Sequence, residues 1–231
     1  MSYPTQIGGR MKRNAWSYTA LTAFETCPKR YYLTRVSKEV KEGATEATTW
    51  GNNVHKALEL RVKDKTPLPA GMENFEVIAA KFDNGSGEVS TETKFTLDEH
   101  MKVTDWFSKD AWLRCIFDLT IDKGVTAAVL DYKTGKRKVD SKQLQLFAGV
   151  MMGVKPELEV VKTGFIWLKE NKTDTQTFTR KDLPDIWGEF LPRVDRLDHA
   201  FAYNKWEAKP SGLCREWCPV GKSRCTHCGK V

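Results

Sequence analysis

Residues 129–136, with the sequence VLDYKTGK, are predicted to form a β-strand that opens into a basic loop. Successive side chains point to opposite faces of a strand, so Asp131 and Lys133 share one face. Tyr132, between them, points to the other face. A carboxylate beside an ammonium group at a strand end is a compact site for a divalent metal ion and an attacking water. This segment therefore predicts a sheet and places candidate chemistry at its end.

The order of hydrophobic patterns along the chain predicts a mixed α/β fold, in which helices flank a central sheet. We expect a single domain over residues 1–231, with a flexible segment over residues 1–15 and a cysteine-rich tail over residues 205–231. A first helix is expected to begin near Ser17 or Thr19, either of which can cap it. The further predicted helices cover residues 49–64, 72–82, 140–152 (ending at Gly153) and 182–204. The predicted strands cover residues 89–97, 111–121, 126–133, 159–168 and 175–180.

A second acid, Asp118, lies in the strand predicted just before residues 129–136. The alternating pattern places Asp118 on one face of this strand. The core-facing residues lie on the other face: Leu113, Cys115, Phe117, Leu119 and Ile121. A two-residue turn at Lys123–Gly124 would pair Asp118 with Val129 and make Asp131 its diagonal neighbour. Such neighbours lie about 7–8 Å apart at Cα, and one Mg²⁺ or Mn²⁺ ion can bridge their carboxylates. The alternative is that both acids and Lys133 are ordinary surface charges.

The formal charge of +7 suggests, but does not by itself establish, a polyanionic partner. Four basic residues follow the predicted strand closely and would suit phosphate contacts: Lys136, Arg137, Lys138 and Lys142. No apolar run approaches the length of a membrane span, and the N-terminal residues lack the apolar core of a signal peptide. We therefore expect a cytoplasmic protein in a reducing compartment.

Six cysteines in a reducing compartment need another role than disulfides. Four of them lie in the tail at Cys214, Cys218, Cys225 and Cys228, with the spacing C-x3-C-x6-C-x2-C. Read alone, this spacing favours a four-cysteine zinc site. Cys27 lies far away near the N-terminus, and Cys115 is expected to be a small buried apolar residue.

Together, four separate stretches resemble the PD-(D/E)XK nuclease superfamily, in its RecB-like branch, which includes CRISPR-associated, helicase-linked and phage exonucleases. Residues 50–55, with the sequence WGNNVH, look like the glycine-x-x-x-histidine helix motif of that branch. Asp118 matches the acid of the second strand, and residues 131–133 match the D-x-K core. Residues 143–147, with the sequence QLQLF, are similar to the glutamine-x-x-x-tyrosine motif. Phe147 departs from that motif by lacking the tyrosine hydroxyl, and Cys115 stands where a small residue is usual.

The resemblance implies a restriction-endonuclease-like core and a role for each matching residue. His55, Asp118, Asp131 and the backbone carbonyl of Tyr132 would hold Mg²⁺ or Mn²⁺. Lys133 would act in catalysis together with the acids, with Gln143 in support. In iron–sulfur members of this branch, one N-terminal and three C-terminal cysteines hold a [4Fe–4S] cluster that joins the chain ends. That role falls on Cys27, Cys214, Cys218 and Cys225, with zinc as the alternative.

The function implied by the resemblance is a metal-dependent DNA nuclease. It would be an exonuclease on single-stranded DNA or DNA ends, in recombination, repair or phage DNA processing. The alternative is a non-catalytic nucleic-acid-binding protein with a C-terminal four-cysteine zinc site. That alternative needs the basic loop and the tail, but not the set of acids, lysine and histidine.

Overall fold

A computed structural model of the chain describes residues 14–138 and 142–229, so most of the segment predicted to be flexible lies outside the described residues. The described chain divides into two compact units. Residues 44–188 form the first, here called the central unit. Residues 14–43 and 189–229 form the second, here called the terminal unit. No helix in these described ranges is long and apolar enough to cross a membrane. The single domain over residues 1–231 stays a prediction.

The central unit is built on a five-stranded sheet in the order β1-β2-β3-β4-β5. Its strands are β1 (Glu88–Leu97), β2 (Leu113–Asp122), β3 (Thr126–Lys133), β4 (Val160–Trp167) and β5 (Lys172–Thr179). Neighbouring strands are antiparallel, except for the parallel pair β3 and β4. Parallel neighbours need a crossover connection, which the helix between them supplies. The predicted mixed sheet with flanking helices is confirmed.

Helix α3 (Glu46–Asp64) packs against the sheet through one apolar stripe. Thr45 caps it, because its hydroxyl accepts a hydrogen bond from the backbone N–H of Thr48. Val54, Leu58 and Val62 recur every four residues and are buried with Leu119 and Tyr132 of the sheet. The predicted helix over residues 72–82 is three short pieces: the 3₁₀ turns Glu73–Phe75 and Ala80–Phe82 and, between them, α4 (Glu76–Ala79).

The crossover helix α5 (Lys142–Val154) is buried along most of its length. A Cβ atom built on Gly149 would lie 2.9 Å from Ile186 Cγ2, so glycine allows the next helix to approach closely. The predicted end at Gly153 is wrong, because the backbone N–H of Lys155 still donates to the carbonyl of Met151 at 2.9 Å. Pro156 follows and has no N–H to continue the pattern, so proline rather than glycine ends the helix.

The pairing of β2 with β3 differs from the prediction by two residues. Val129 lies opposite Thr120, not opposite Asp118. The turn is still tight but lies one residue later, since the N–H of Lys123 donates to the carbonyl of Thr126 at 2.9 Å. Gly124 adopts φ +84°, and its N–H donates to the Asp122 carboxylate at 2.8 Å. Glycine accepts this left-handed conformation without strain, so it fixes the turn and the register.

The alternating pattern predicted that strand β2 keeps one core-facing side along its whole length, but the structure shows that it does not. Phe117 packs against Phe147 of α5, with ring centroids 5.0 Å apart. Leu119, two residues later, lies in the cluster that contains Val54 and Leu58 of α3. The strand therefore turns its side chains from one helix layer to the other at Asp118. Asp118 itself is buried rather than exposed. Cys115 is buried, as predicted.

The terminal unit is helical. It contains α1 (Tyr18–Thr26), α2 (Pro28–Tyr31), a π-helical turn (Tyr32–Val36) and the part of α6 (Leu183–Tyr203) from Glu189 onward. The Ser17 hydroxyl caps α1, and Glu25 of α1 forms an ion pair with Arg193 of α6 at 2.7 Å. Aromatic rings pack around Trp206, namely Phe24, Tyr31, Tyr32 and Phe201.

Candidate active site

The site is centred on an interruption in the pairing of β1 with β2. Thr91 pairs with Leu119 and Thr93 pairs with Phe117, but Glu92 and Asp118 between them do not complete the ladder. Glu92 has φ +49°, a left-handed conformation that costs a non-glycine residue about 1–2 kcal/mol. The local twist turns both carboxylates away from a regular sheet face. Strain of this kind is characteristic of functional sites.

His55 of α3 joins these two acids. Its Nδ1 lies 3.2 Å from Asp118 Oδ2, and its ring meets the edge of Tyr132. One ligand atom from each of His55, Glu92 and Asp118 lies within 4.8 Å of the other two. Carboxylate oxygens with one imidazole nitrogen form a donor set suited to a divalent ion such as Mg²⁺ or Mn²⁺. Sequence analysis missed Glu92, because it was one of several polar residues in β1 and only the strand register distinguishes it.

Asp131, Lys133 and Gln143 form a second group of hydrogen-bonded residues. Lys133 Nζ lies 2.6 Å from Asp131 Oδ2 and donates to Gln143 Oε1 at 3.1 Å. Gln143 Nε2 in turn donates to Asp131 Oδ1 at 3.2 Å. Lys133 also lies over the ring of Phe165, with Nζ 4.7 Å from the ring centroid. The end of β3 and the first turn of α5 thus fix the lysine from several sides.

Tyr132 links the two groups through its backbone. Its N–H donates to Asp118 Oδ2 at 2.8 Å, so the acid from β2 is tied to the residue between Asp131 and Lys133. The Tyr132 side chain is buried in the core beneath α3, and burial raises the pKa of its hydroxyl. The metal-binding role expected of the Tyr132 carbonyl stays a prediction.

The electrostatics of the site favour cations. Burial, together with the charge of Asp118, raises the pKa of Asp131 to about 6, although Lys133 acts in the opposite direction. Burial and the nearby Asp118 also raise the pKa of Glu92. Burial acts to lower the pKa of His55, but its hydrogen bond with Asp118 and the neighbouring acids outweigh this effect and raise it. A cation among these groups would relieve the repulsion between buried carboxylates.

The loop after Lys133 is exposed, but its basic residues differ in environment. Lys136 and Lys138 project into solvent. Arg137 forms an ion pair with Asp174 of β5, with Nε 2.7 Å from Oδ2, and Trp167 Nε1 donates to the same carboxylate. Lys142 is half-buried at the start of α5. Residues 139–141, which belong to the predicted helix over residues 140–152, lie outside the described part of the chain.

The cysteines of the terminal unit line one cavity. Cys27 of the α1–α2 junction lines it together with Cys214, Cys218, Cys225 and Cys228 of the tail. The backbone N–H of Lys209 donates to Cys27 Sγ and that of Ser211 donates to Cys214 Sγ, each at 3.5 Å. Burial, with hydrogen bonds to Cys218 and Cys225, raises the pKa of Cys228 to about 12. Five cysteines thus share one cavity, whereas among the described residues only His55, Glu92 and Asp118 bring three possible metal-ligand atoms within 4.8 Å of one another.

A family model of the PD-(D/E)XK nuclease superfamily matches residues 15–226. The chain belongs to the PD-(D/E)XK nuclease superfamily. This nuclease family uses divalent metal ions, in agreement with the donor set formed by His55, Glu92 and Asp118. The matched region contains the four sequence stretches, from residues 50–55 to residues 143–147, and extends into the cysteine-rich tail as far as residue 226.

Solved structures extend the comparison. The chain is similar to a candidate exonuclease from Eubacterium rectale, with a TM-score of 0.51 and 14% identity over 88% of this chain and 86% of the other. At that identity, the similarity shows a shared fold only. A second similar structure, of the protein SSO0001, has a TM-score of 0.49 and 14% identity over 94% of this chain and 89% of the other. No curated protein matches this chain significantly.

Proposed function

We propose that this nuclease is a metal-dependent exonuclease that acts on single-stranded DNA or on DNA ends, in recombination, repair or phage DNA processing in the cytoplasm. The observation that supports it best is the pair of adjoining groups at the sheet end. His55, Glu92 and Asp118 form a ready metal-binding set. Lys133 is held beside Asp131, in the position of the D-x-K motif.

The metal-binding residues in this proposal are His55, Glu92, Asp118 and Asp131, with the carbonyl of Tyr132. Mg²⁺ or Mn²⁺ bound there supplies Lewis-acid polarisation of the scissile phosphate and lowers the pKa of a coordinated water. Glu92 extends the ligand set that the sequence predicted. Its support is its position beside His55 and Asp118, and its strained backbone, which directs the carboxylate toward them.

Lys133 orients the attacking water and offsets the negative charge that develops on the phosphate. Asp131 and Gln143 hold its ammonium group, so the lysine needs little rearrangement to act. Gln143 is a positioning residue, because it contacts both Lys133 and Asp131. Phe147 cannot supply a tyrosine hydroxyl, and its ring packs on Phe117 instead.

DNA phosphates are proposed to bind Lys136, Arg137, Lys138 and Lys142. Lys136 and Lys138 are exposed, so phosphates can reach them. Arg137 already uses two N–H groups on Asp174. A guanidinium carries five such donors, so the remaining ones can reach a phosphate without breaking the ion pair.

The cysteine cavity is proposed to hold a [4Fe–4S] cluster on Cys27, Cys214, Cys218 and Cys225, with Zn²⁺ as the alternative. Its support is that Cys27, distant in sequence, lines the same cavity as the tail cysteines. A zinc site formed by the tail alone would not require Cys27 there. Metal analysis of protein purified without oxygen, together with its visible absorption, distinguishes iron from zinc.

Digestion of DNA tests the proposed function. Linear single-stranded DNA should be degraded with Mg²⁺ or Mn²⁺ and remain intact with EDTA. Circular single-stranded DNA of the same sequence should resist degradation, because it has no ends. Cleavage of the circle would indicate an endonuclease. No cleavage with either metal, combined with one zinc per chain, would favour the non-catalytic nucleic-acid-binding alternative.

A further inference from the structure

Among residues 14–138 and 142–229, the net positive charge lies in the terminal unit and not in the unit that contains the proposed active site. Within the described residues, the central unit has 21 Lys and Arg against 21 Asp and Glu, and is therefore electroneutral. The terminal unit has 12 Lys and Arg against 8 Asp and Glu. Affinity for nucleic acid comes largely from cations that neutralise phosphates. The distribution of charge therefore assigns the terminal unit a larger share in holding a polyanion than the nuclease site itself.

Two apolar side chains on the cysteine-rich tail are exposed beside this charge. Trp217 is 74% exposed and Leu213 is 44% exposed. The N–H of Trp217 donates to the carbonyl of Leu213, so the two residues stand one turn apart. The tail holds their backbone in place through its turns and through the bond from the Gly229 N–H to the Cys214 carbonyl. The exposed indole offers a flat apolar face that suits stacking against a flat partner.

Cations with no ion pair lie near the indole in sequence and around the cysteine cavity. Arg215 lies two residues before Trp217, and Lys29 lines the cavity. Among the described residues, no side chain forms an ion pair or a side-chain hydrogen bond with Arg215, Lys29 or Lys222. Arg30, by contrast, is paired with Glu42. The free cations remain available to bind phosphate.

We infer that the exposed residues Leu213, Arg215, Trp217 and Lys222, with the half-buried Lys29, bind single-stranded nucleic acid. An aromatic face with flanking cations is the combination that holds unpaired bases and their backbone. Base-paired DNA would leave the indole unused, because its bases already stack on one another. This inference rests on the proposed function for the identity of the polyanion, and it adds a binding surface separate from the residues that cleave.

Binding without cleavage tests the surface. We would measure the affinity of fluorescently labelled oligo(dT) for the full-length protein by anisotropy, with EDTA present throughout. Trp217→Ala should weaken binding by about fivefold or more, because stacking on one base contributes roughly 1–3 kcal/mol. Trp217→Phe should keep much of the affinity, since the ring remains. The matched control is Phe107→Ala, because Phe107 is 88% exposed but lies in the electroneutral central unit. The control should bind like the wild type.

The charges are tested in the same assay. The double variant Arg215→Gln with Lys222→Gln should reduce the log–log salt slope by about 1.4, from about 0.7 for each lost phosphate contact. Lys109→Gln with Lys169→Gln, two exposed lysines of the central unit, should leave the slope unchanged. Equal affinity of Trp217→Ala and wild type, or equal losses in Trp217→Ala and Phe107→Ala, would overturn the inference. A Trp217→Ala variant that lost binding to phosphatidylserine vesicles but kept its affinity for DNA would also overturn the inference.

These outcomes are separate from those of the proposed function. Binding that depends on Trp217 in a protein that never cleaves DNA would support the surface and reject the nuclease mechanism. Cleavage with affinity that is indifferent to Trp217 would support the mechanism and reject the surface. Circular dichroism of each variant identifies a loss of fold; if Trp217→Ala does not fold, the salt slope of Arg215→Gln with Lys222→Gln carries the test.

Discussion

Replacing Asp131 with asparagine should abolish cleavage and at the same time stabilise the metal-free protein. The carboxylate is buried near Asp118, and its pKa rises from 3.8 to about 6. A rise of about 2 pKa units corresponds to a destabilisation of about 3 kcal/mol once the group is ionised. Asparagine carries no charge, so it removes this penalty. Lys133 contacts Asp131 Oδ2 and Gln143 donates to Oδ1, and the amide of asparagine keeps an oxygen at only one of these two positions. The lost contact costs about 1 kcal/mol and offsets part of the gain.

The net gain is therefore about 2 kcal/mol at pH 8, or about 4–8 °C in melting temperature for a chain of this size. Because the folded pKa lies above the unfolded one, the penalty is full above pH 6 and vanishes below pH 4. Near pH 5 the penalty falls to about 1.5 kcal/mol, so the net advantage of Asp131→Asn should fall to about a quarter of its value at pH 8. The assay is thermal unfolding in EDTA at pH 8 and pH 5, with Asp110→Asn as the control, because Asp110 is exposed. An equal or lower melting temperature at pH 8, or an advantage that does not change with pH, would refute the reasoning.

Three further substitutions follow from the site and the cavity. Glu92→Gln should weaken Mn²⁺ binding by about tenfold or more, measured by calorimetry, while Glu88→Gln at the exposed start of the same strand should not; equal affinities would remove Glu92 from the ligand set. Lys133→Ala should lower kcat by about 10²-fold or more with Mn²⁺ affinity retained, and an unchanged kcat would leave the lysine without a catalytic role. Cys27→Ser should remove the brown colour expected of the purified protein and lower its melting temperature, whereas Cys228→Ser should keep both; a colourless wild type that contains one zinc would overturn the cluster.

The sequence predicted the elements of the fold well, because alternation and helical spacing are local properties. Strand β3 has the predicted bounds, and His55, Asp118, Asp131, Lys133 and Gln143 do meet at one end of the sheet. The pairing register between β2 and β3 could not be predicted from these local patterns. A shift of one residue in the turn at Gly124 changes every pairing between β2 and β3, and alternation alone does not locate that turn.

The role of Glu92 could not be predicted from local sequence patterns either. Its role depends on a left-handed backbone at one position and on a strand that changes its facing at Asp118. Phe117 packs against α5 and Leu119 packs against α3, and no local pattern in β1 predicts this arrangement. The distribution of charge between the two units also required the fold, because the terminal unit joins two segments that are distant in sequence.

That assembly from both chain ends determines the order in which the protein can form. Residues 44–188 are continuous, so the central unit has all its parts as soon as they are synthesised. Residues 14–43, with Cys27, must wait for residues 189–229 before their own unit is complete. At about 5–20 residues per second, the ribosome adds the intervening stretch in roughly 7–30 s. The Glu25–Arg193 ion pair and the cysteine cavity therefore form late, after the sheet of the central unit has had time to fold.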